Sequence, residues 1–213
     1  MTDHNKALLA LLGRAPVIPV LTFETPEEAI DVSGALVAGG LDVLEVTLRT
    51  PRALEIIEAL AKAFPDAWVG AGTVLRIAQA EAAHRAGARF LVSPGSTDAL
   101  LRDGANFVLP WLHAAVTASE VMRLREHGRR VLKFFPAEQS GGVGVLKAWA
   151  PVLQDVTFCP TGGIDAAKAP AYLALPNVGA VGGSWVVPAD SVAKRDFAGI
   201  TELARAAAAL SAK

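Results

Sequence analysis

The residues best suited to covalent chemistry lie in two short, mostly apolar segments. In VLKFFPAE, Val131, Lys133 and Phe135 alternate with Leu132 and Phe134. An extended backbone therefore sends Lys133 to the face opposite Leu132 and Phe134, inward among hydrophobes. Burial disfavours an ammonium, and the neutral amine is the form that attacks a ketone carbon to make a Schiff base. In EVTLRT, Glu45, Thr47 and Arg49 alternate with Leu44, Val46 and Leu48. A strand there puts the polar set on one face and turns the apolar set toward covering helices. Glu45 then points inward, where a carboxylate is costly unless it has a partner or a task such as proton transfer. Structural alternatives stand beside both readings. Glu45 could pair with Arg49 to order the rim, and Lys133 could snorkel from a strand end or pair with Glu45 or Glu138. An inward Lys and an inward Glu together are more specific than either alone.

Other segments suit binding. Thr161-Gly162-Gly163 and Gly182-Gly183-Ser184 follow candidate strands and could present backbone N–H groups to a phosphate, although tight turns also need glycine. Thr73 in GAGTVL and Pro94 in SPG fall at strand ends, where turn chemistry would also explain them. His113, beside Trp111, could exchange protons with substrate or simply pack on the indole at the rim. Gly141-Gly142 reads as a flexible loop that closes over the site. Cys159, the sole cysteine, reads as core filler. No His, Asp or Glu cluster has metal-ligand spacing, so no metal is expected, and no motif calls for a cofactor.

The elements that must position these residues repeat at intervals of roughly 25 residues, β-branched runs alternating with Ala/Leu/Glu-rich stretches as parallel strands alternate with crossover helices. The spacing predicts strands at Val17–Leu21, Val43–Thr47, Trp68–Gly70, Phe90–Val92, Phe107–Leu109, Val131–Phe134, Val156–Phe158 and Val178–Val181. Helices are expected over Pro26–Ala38 and Pro51–Ala63, each with an early proline, and after Thr97, Thr117 and Asp165 as N-caps. A short helix at Leu8–Leu12 would cover the bottom of the fold, and ARAAAALSAK reads as the end of an Ala-rich helix. Eight right-handed βα units close into an α/β (β/α)8 TIM barrel, with its active site at the C-terminal ends of the strands. An open doubly wound sheet is the second choice.

The chain has 213 residues, enough for one barrel, and 1–213 is read as a single domain. A net charge of −1 supplies no basic field for nucleic acid or an anionic membrane, so the expected partner is a small molecule. No apolar run reaches the roughly 18 residues of a membrane span, and the N-terminus lacks a signal-peptide pattern, which points to the cytoplasm.

Taken in order and spacing, EVTLRT, GAGTVL, SPG, KFFPAE, FCPTGGI and GGSW resemble the bacterial 2-keto-3-deoxy-6-phosphogluconate (KDPG) aldolase family over roughly Pro16 to Pro188. The resemblance implies a metal-independent, trimeric, cytoplasmic enzyme acting on a 2-keto acid and an aldehyde, often including 4-hydroxy-2-oxoglutarate. It implies that Lys133 is the Schiff-base lysine and Glu45 the proton shuttle. Arg49 and Thr73, with Thr161 and the Pro94 turn, would bind the pyruvyl carboxylate, and Phe135 would pack on the pyruvyl group. Gly162, Gly163, Gly183 and Ser184 would take the 6-phosphate. One region departs: LPWLHAAVT has His113-Ala114 where the family usually has Pro-Gly. Trp111 and His113 are accordingly expected to reshape the rim at the fifth strand, leaving open a remodelled substrate range or an engineered sequence. A phosphosugar isomerase or epimerase, with Glu45 as base and Lys133 as a clamp, is the competing enzyme class.

Overall fold

The computed structural model describes residues 2–210. Eight parallel strands run in the order β7-β6-β5-β4-β3-β2-β1-β8: β1 (Val17–Leu21), β2 (Val43–Thr47), β3 (Trp68–Gly72), β4 (Phe90–Val92), β5 (Trp111–Ala115), β6 (Val131–Phe134), β7 (Thr157–Pro160) and β8 (Val181–Gly183). Bridges Phe158↔Val178 and Thr161↔Gly182 join the two ends of that order, closing the barrel. The helices are α1 (Asp3–Leu12), α2 (Pro26–Ala38), α3 (Ala53–Ala63), α4 (Ile77–Arg85), α5 (Asp98–Asp103), α6 (Ala118–Glu126), α7 (Gly142–Trp149), α8 (Ala169–Leu173), α9 (Ala189–Ala193) and α10 (Phe197–Ala208). The last residues of the expected Ala-rich tail, 211–213, lie outside the described residues.

Alternation sorts the strand side chains into two cores. Outward residues such as Leu44, Val46, Leu91, Leu132 and Phe158 pack beneath the helices with Ile56, Ile57 and Leu60, which recur at helical spacing on α3. Inward residues Ile18, Val43, Phe90, Val92, Leu112, Val131 and Cys159 fill the lower barrel together with Leu8, Leu11 and Leu12 of α1. The bottom-covering helix is therefore present and longer than Leu8–Leu12. Thr2 caps it, and buried Asn5 ties it down, donating to Gly128 O at 2.8 Å and accepting from Arg130 N–H at 3.0 Å. Gly70 makes this interior possible, since a Cβ there would collide with the Phe90 ring.

Several boundaries differ from expectation. The fifth strand is Trp111–Ala115 and not Phe107–Leu109. Pairing with Leu91 and Val92 begins at Trp111 and Leu112, and Phe107 instead follows a turn closed by its N–H on Gly104 O. Local β-propensity favoured Phe-Val-Leu; the ladder chose the later segment. The eighth strand is Val181–Gly183, not Val178–Val181, because a glycine-rich edge carries little propensity but pairs readily with Val17–Pro19. Thr97 and Thr117 cap α5 and α6, the latter with a capping box to Glu120. Asp165 caps a turn, accepting from Ala167 and Lys168 N–H, and α8 starts only at Ala169.

Candidate active site

Lys133 sits mid-strand in β6, between Ala114 of β5 and Cys159 of β7. Glu45 sits in β2, between Val20 and Gly70. Both point into the barrel and meet across it, Lys133 Nζ donating to Glu45 Oε1 at 3.1 Å, with side chains 7% and 5% exposed. A buried ion pair of this kind repays its desolvation only through close geometry, and removing either partner strands the other's charge. Gly72 makes the geometry possible, because any Cβ there would strike the Glu45 carboxylate. Glu45 thus pairs with Lys133, and neither Arg49 nor Glu138 takes the partner's role that the sequence left open. Beneath them, burial pushes the Cys159 thiol up to about 12, with Lys133 nearby acting the other way, so at neutral pH it stays a protonated core side chain.

The pair opens into a cavity of about 210 Å³ lined by Val20, Glu45, Thr47, Arg49, Thr73, Pro94, Lys133, Phe135 and Thr161. The Phe135 ring centre lies 5.3 Å from Lys133 Nζ, forming an aromatic wall. Thr73 adopts φ 61°, a conformation β-branched residues rarely enter and one found where the surroundings fix a functional side chain. An adjoining cavity of about 200 Å³ shares Val20, Arg49, Phe135 and Thr161 and adds Gly162, Gly163, Ile164, Gly182, Gly183 and Ser184. Gly162 and Gly163 have φ 108° and 75°. The Gly163 N–H finds no acceptor among the described residues, the condition for a backbone anion cradle, whereas the Gly162 N–H faces β8 through the Thr161↔Gly182 bridge. The result is one groove with a reactive end and a glycine-lined end. A larger depression of about 250 Å³, lined by Leu48, Leu54, Ala78 and Ala82 among others, holds no ionisable side chain and lies outside the groove.

The structure thus brings Lys133, Glu45, Arg49, Thr73, Pro94, Phe135, Thr161, Gly162, Gly163, Gly183 and Ser184 into one groove, and excludes Trp111 and His113. Those two share the outward face of β5, both fully buried, with rings stacked at 5.1 Å. Trp111 Nε1 donates to Ser93 Oγ, which donates to Val74 O. The expectation that they reshape the rim is corrected by the strand shift: the fifth strand starts later, so His113 is a mid-strand residue facing the helices. Gly141-Gly142 is likewise no loose loop. Gly142 opens α7, its N–H held by Ala137 O, and a Cβ there would press on Tyr172 and Glu138. Residues the sequence reading passed over are Val20, Ile164 and Gly72, and Gly182, read there only as part of a phosphate turn, also gives Thr161 its space. Thr47, seen only as part of an alternation, lines the groove and shares a 2.8 Å hydroxyl contact with Thr22. The signal for the glycines was their position opposite inward polar side chains on neighbouring strands.

A sequence model of the KDPG and KHG aldolases matches residues 9–203. The chain belongs to that family. The KHG/KDPG aldolase of Escherichia coli K12 is 47% identical over 207 residues, covering 97% of each chain. The 2-dehydro-3-deoxy-phosphogluconate aldolase of Zymomonas mobilis is 49% identical over 200 residues, covering 94% of each. Among solved structures, the KDPG aldolase of Legionella pneumophila superposes with a TM-score of 0.92 at 44% identity, covering 94% of this chain and 98% of that one. The Legionella protein holds pyruvate captured at low pH as a covalent carbinolamine intermediate. The (β/α)8 aldolase fold is shared throughout, and the unusual His113-Ala114 segment leaves the strand order intact.

Proposed function

We propose that this chain is a class I aldolase that cleaves 2-keto-3-deoxy-6-phosphogluconate to pyruvate and glyceraldehyde 3-phosphate through a Schiff base on Lys133. The observation that carries this reading is the buried Lys133–Glu45 contact of 3.1 Å at the floor of the groove. Once its proton leaves, the Lys133 amine attacks the C2 ketone to give a carbinolamine, and loss of water gives an iminium. Glu45 takes the C4 hydroxyl proton as the C3–C4 bond breaks, and the bonding electrons move to the iminium nitrogen to form an enamine. The aldehyde leaves, a proton returned through Glu45 to C3 restores the iminium, and water releases pyruvate. The covalent carbinolamine in the Legionella relative supports the first step.

In this reading Arg49 and Thr73, with Thr161 and the Pro94 turn, hold the carboxylate, and Phe135 packs on the pyruvyl group. The glycine-lined end, with Gly162, Gly163, Gly183 and Ser184, takes the phosphate. No step requires a metal or cofactor. A homotrimer in the cytoplasm completes the proposal; the apolar depression at Leu48 and Leu54, with Leu75 exposed beside it, supports self-association there.

Borohydride reduction with pyruvate tests the mechanism. The expected result is a stable mass increase on Lys133, lost in Lys133→Ala. An unmodified Lys133, under conditions that trap an authentic class I aldolase, would favour isomerase or epimerase chemistry and overturn the proposal.

A further inference from the structure

Beyond the groove lies a cluster that the aldol chemistry does not use. Glu138 follows β6 in a 3-10 turn (Glu138–Ser140), Lys168 precedes α8, and Tyr172 lies within α8. The Tyr172 hydroxyl donates to Glu138 Oε1, and Lys168 Nζ pairs with Glu138 Oε2 at 2.9 Å. The same ammonium donates to Gly163 O at 2.9 Å. Gly162 O accepts from Glu138 N–H at 3.1 Å, and Thr161 O accepts from Ala137 N–H at 2.8 Å. Three successive carbonyls of the Thr161-Gly162-Gly163 turn are therefore each held by a donor, two from the loop after β6 and one from the side chain of Lys168.

That arrangement has a consequence for the other edge of the turn. A peptide whose carbonyl is fixed has its N–H fixed on the opposite side, because the unit is planar and trans. The unit joins the carbonyl of one residue to the N–H of the next, so Glu138 N–H on Gly162 O fixes the Gly163 N–H, and Lys168 on Gly163 O fixes the Ile164 N–H; neither N–H has an acceptor among the described residues. Glycine at φ 108° and 75° has little intrinsic preference for one such conformation, so the turn's shape depends on its anchors. Two of these are backbone contacts that no side-chain change removes. Lys168 is the replaceable anchor, and Glu138, itself fixed by the buried Tyr172, sets where its ammonium sits. The two contacts also agree electrostatically: Tyr172 and Lys168 hold the Glu138 carboxyl below its ordinary range, and Glu138 holds Lys168 above its own.

We infer that Lys168, Glu138 and Tyr172 form a strut that positions the Gly163–Ile164 peptide of the glycine turn for the substrate's phosphate, with Lys168 as a positioning residue. This rests on the phosphate-binding role of that turn proposed above. The strut touches neither Lys133 nor Glu45, so it bears on phosphorylated substrates and not on the carbon–carbon bond chemistry.

The test compares the parent with Lys168→Met, Lys168→Arg and Tyr172→Phe. The substrates are 2-keto-3-deoxy-6-phosphogluconate and the same keto acid without phosphate, with inorganic phosphate as competitive inhibitor. For Lys168→Met, the ratio of kcat/KM between the two substrates is expected to fall about five- to ten-fold, and the inhibition constant for inorganic phosphate to rise comparably, as for loss of one charge-assisted hydrogen bond. Tyr172→Phe, which frees Glu138 to move, should shift the same ratio in the same direction by a smaller factor. Lys168→Arg, which keeps a cationic donor, should recover most of the loss. Equal loss on both substrates would assign Lys168 a general structural role and overturn the proposal. An unchanged ratio in Lys168→Met, with the parent inhibited by inorganic phosphate, would overturn the strut alone. A parent that ignores inorganic phosphate and does not distinguish the substrates would overturn the phosphate site and the strut together.

Discussion

His113 should make the protein progressively less stable as the pH falls from 6.5, and replacing it should blunt that loss. The imidazole is fully buried between β5 and the helices, stacked on Trp111, and neither ring nitrogen finds a hydrogen-bond partner among the described residues. Burial, reinforced by the positive charge of Arg129 and by His4 and His127, lowers its pKa from 6.5 to about 3. Arg129 is itself buried, donating to Gly104 O with no carboxylate paired to it among the described residues, so a second cation there gains no compensating partner from them. The unfolded chain takes up a proton near pH 6.5 and the folded chain does not. Stability is therefore intact above about pH 6.5, falls as pH drops through it, and levels off only below the folded value. Linkage over that gap gives a loss of about 2 kcal/mol at pH 5 and about 4–5 kcal/mol at its limit. In a chain of this size about 2 kcal/mol corresponds to a Tm change of roughly 4–8 °C. Urea unfolding of the parent and of His113→Leu at pH 7.5 and 5.0, at one fixed protein concentration, measures the difference directly. The parent should lose about 2 kcal/mol more than the variant between the two pH values. Equal losses would mean that His113 takes up its proton in the folded state, and the assignment of a dry, cation-flanked site would be wrong.

Three further outcomes follow from the groove. Gly72→Ala places a methyl group against the Glu45 carboxylate, so it should cut kcat by at least about 10²-fold, the scale of a displaced general base; near-normal turnover would show that Glu45 has other room to work. Glu45→Gln should keep borohydride trapping of pyruvate while slowing cleavage about 10²–10⁴-fold, and unimpaired cleavage would remove Glu45 from the proton path. Leu54→Glu, in the apolar depression beside α3, should shift sedimentation from the proposed trimer toward monomer. A variant that sediments as the parent does would move the interface elsewhere.

The inward pair was legible because strand alternation is a strict period of two: VLKFF sets one polar residue among apolar neighbours, and LEVTL sets two at alternate positions. Once both strands were placed, Lys133 and Glu45 had nowhere else to point. Trp111 and His113 fooled the same logic because alternation fixes which residues share a face but not where a strand begins. Taking Phe107–Leu109 as the strand left His113 on a rim that the true register, His113↔Leu132, does not give it. The need for glycine at 72 and 182 was hidden for another reason. Each is needed by a side chain on a neighbouring strand, and that requirement appears only when register is known. The strut from Tyr172 to Gly163 was equally invisible, since it joins the loop after β6 to the segment after β7.

Helix α1 has one more consequence. With Leu8, Leu11 and Leu12 sealing the lower barrel, the groove is a blind well, and everything that enters must leave by the same mouth. In the proposed mechanism the pyruvyl end sits deepest, tethered to Lys133, while the aldehyde half lies toward the glycine-lined opening. On that mechanism traffic is ordered by depth: the phosphorylated aldehyde would depart first and pyruvate last, and in the reverse direction pyruvate would have to be seated before an aldehyde could follow it in.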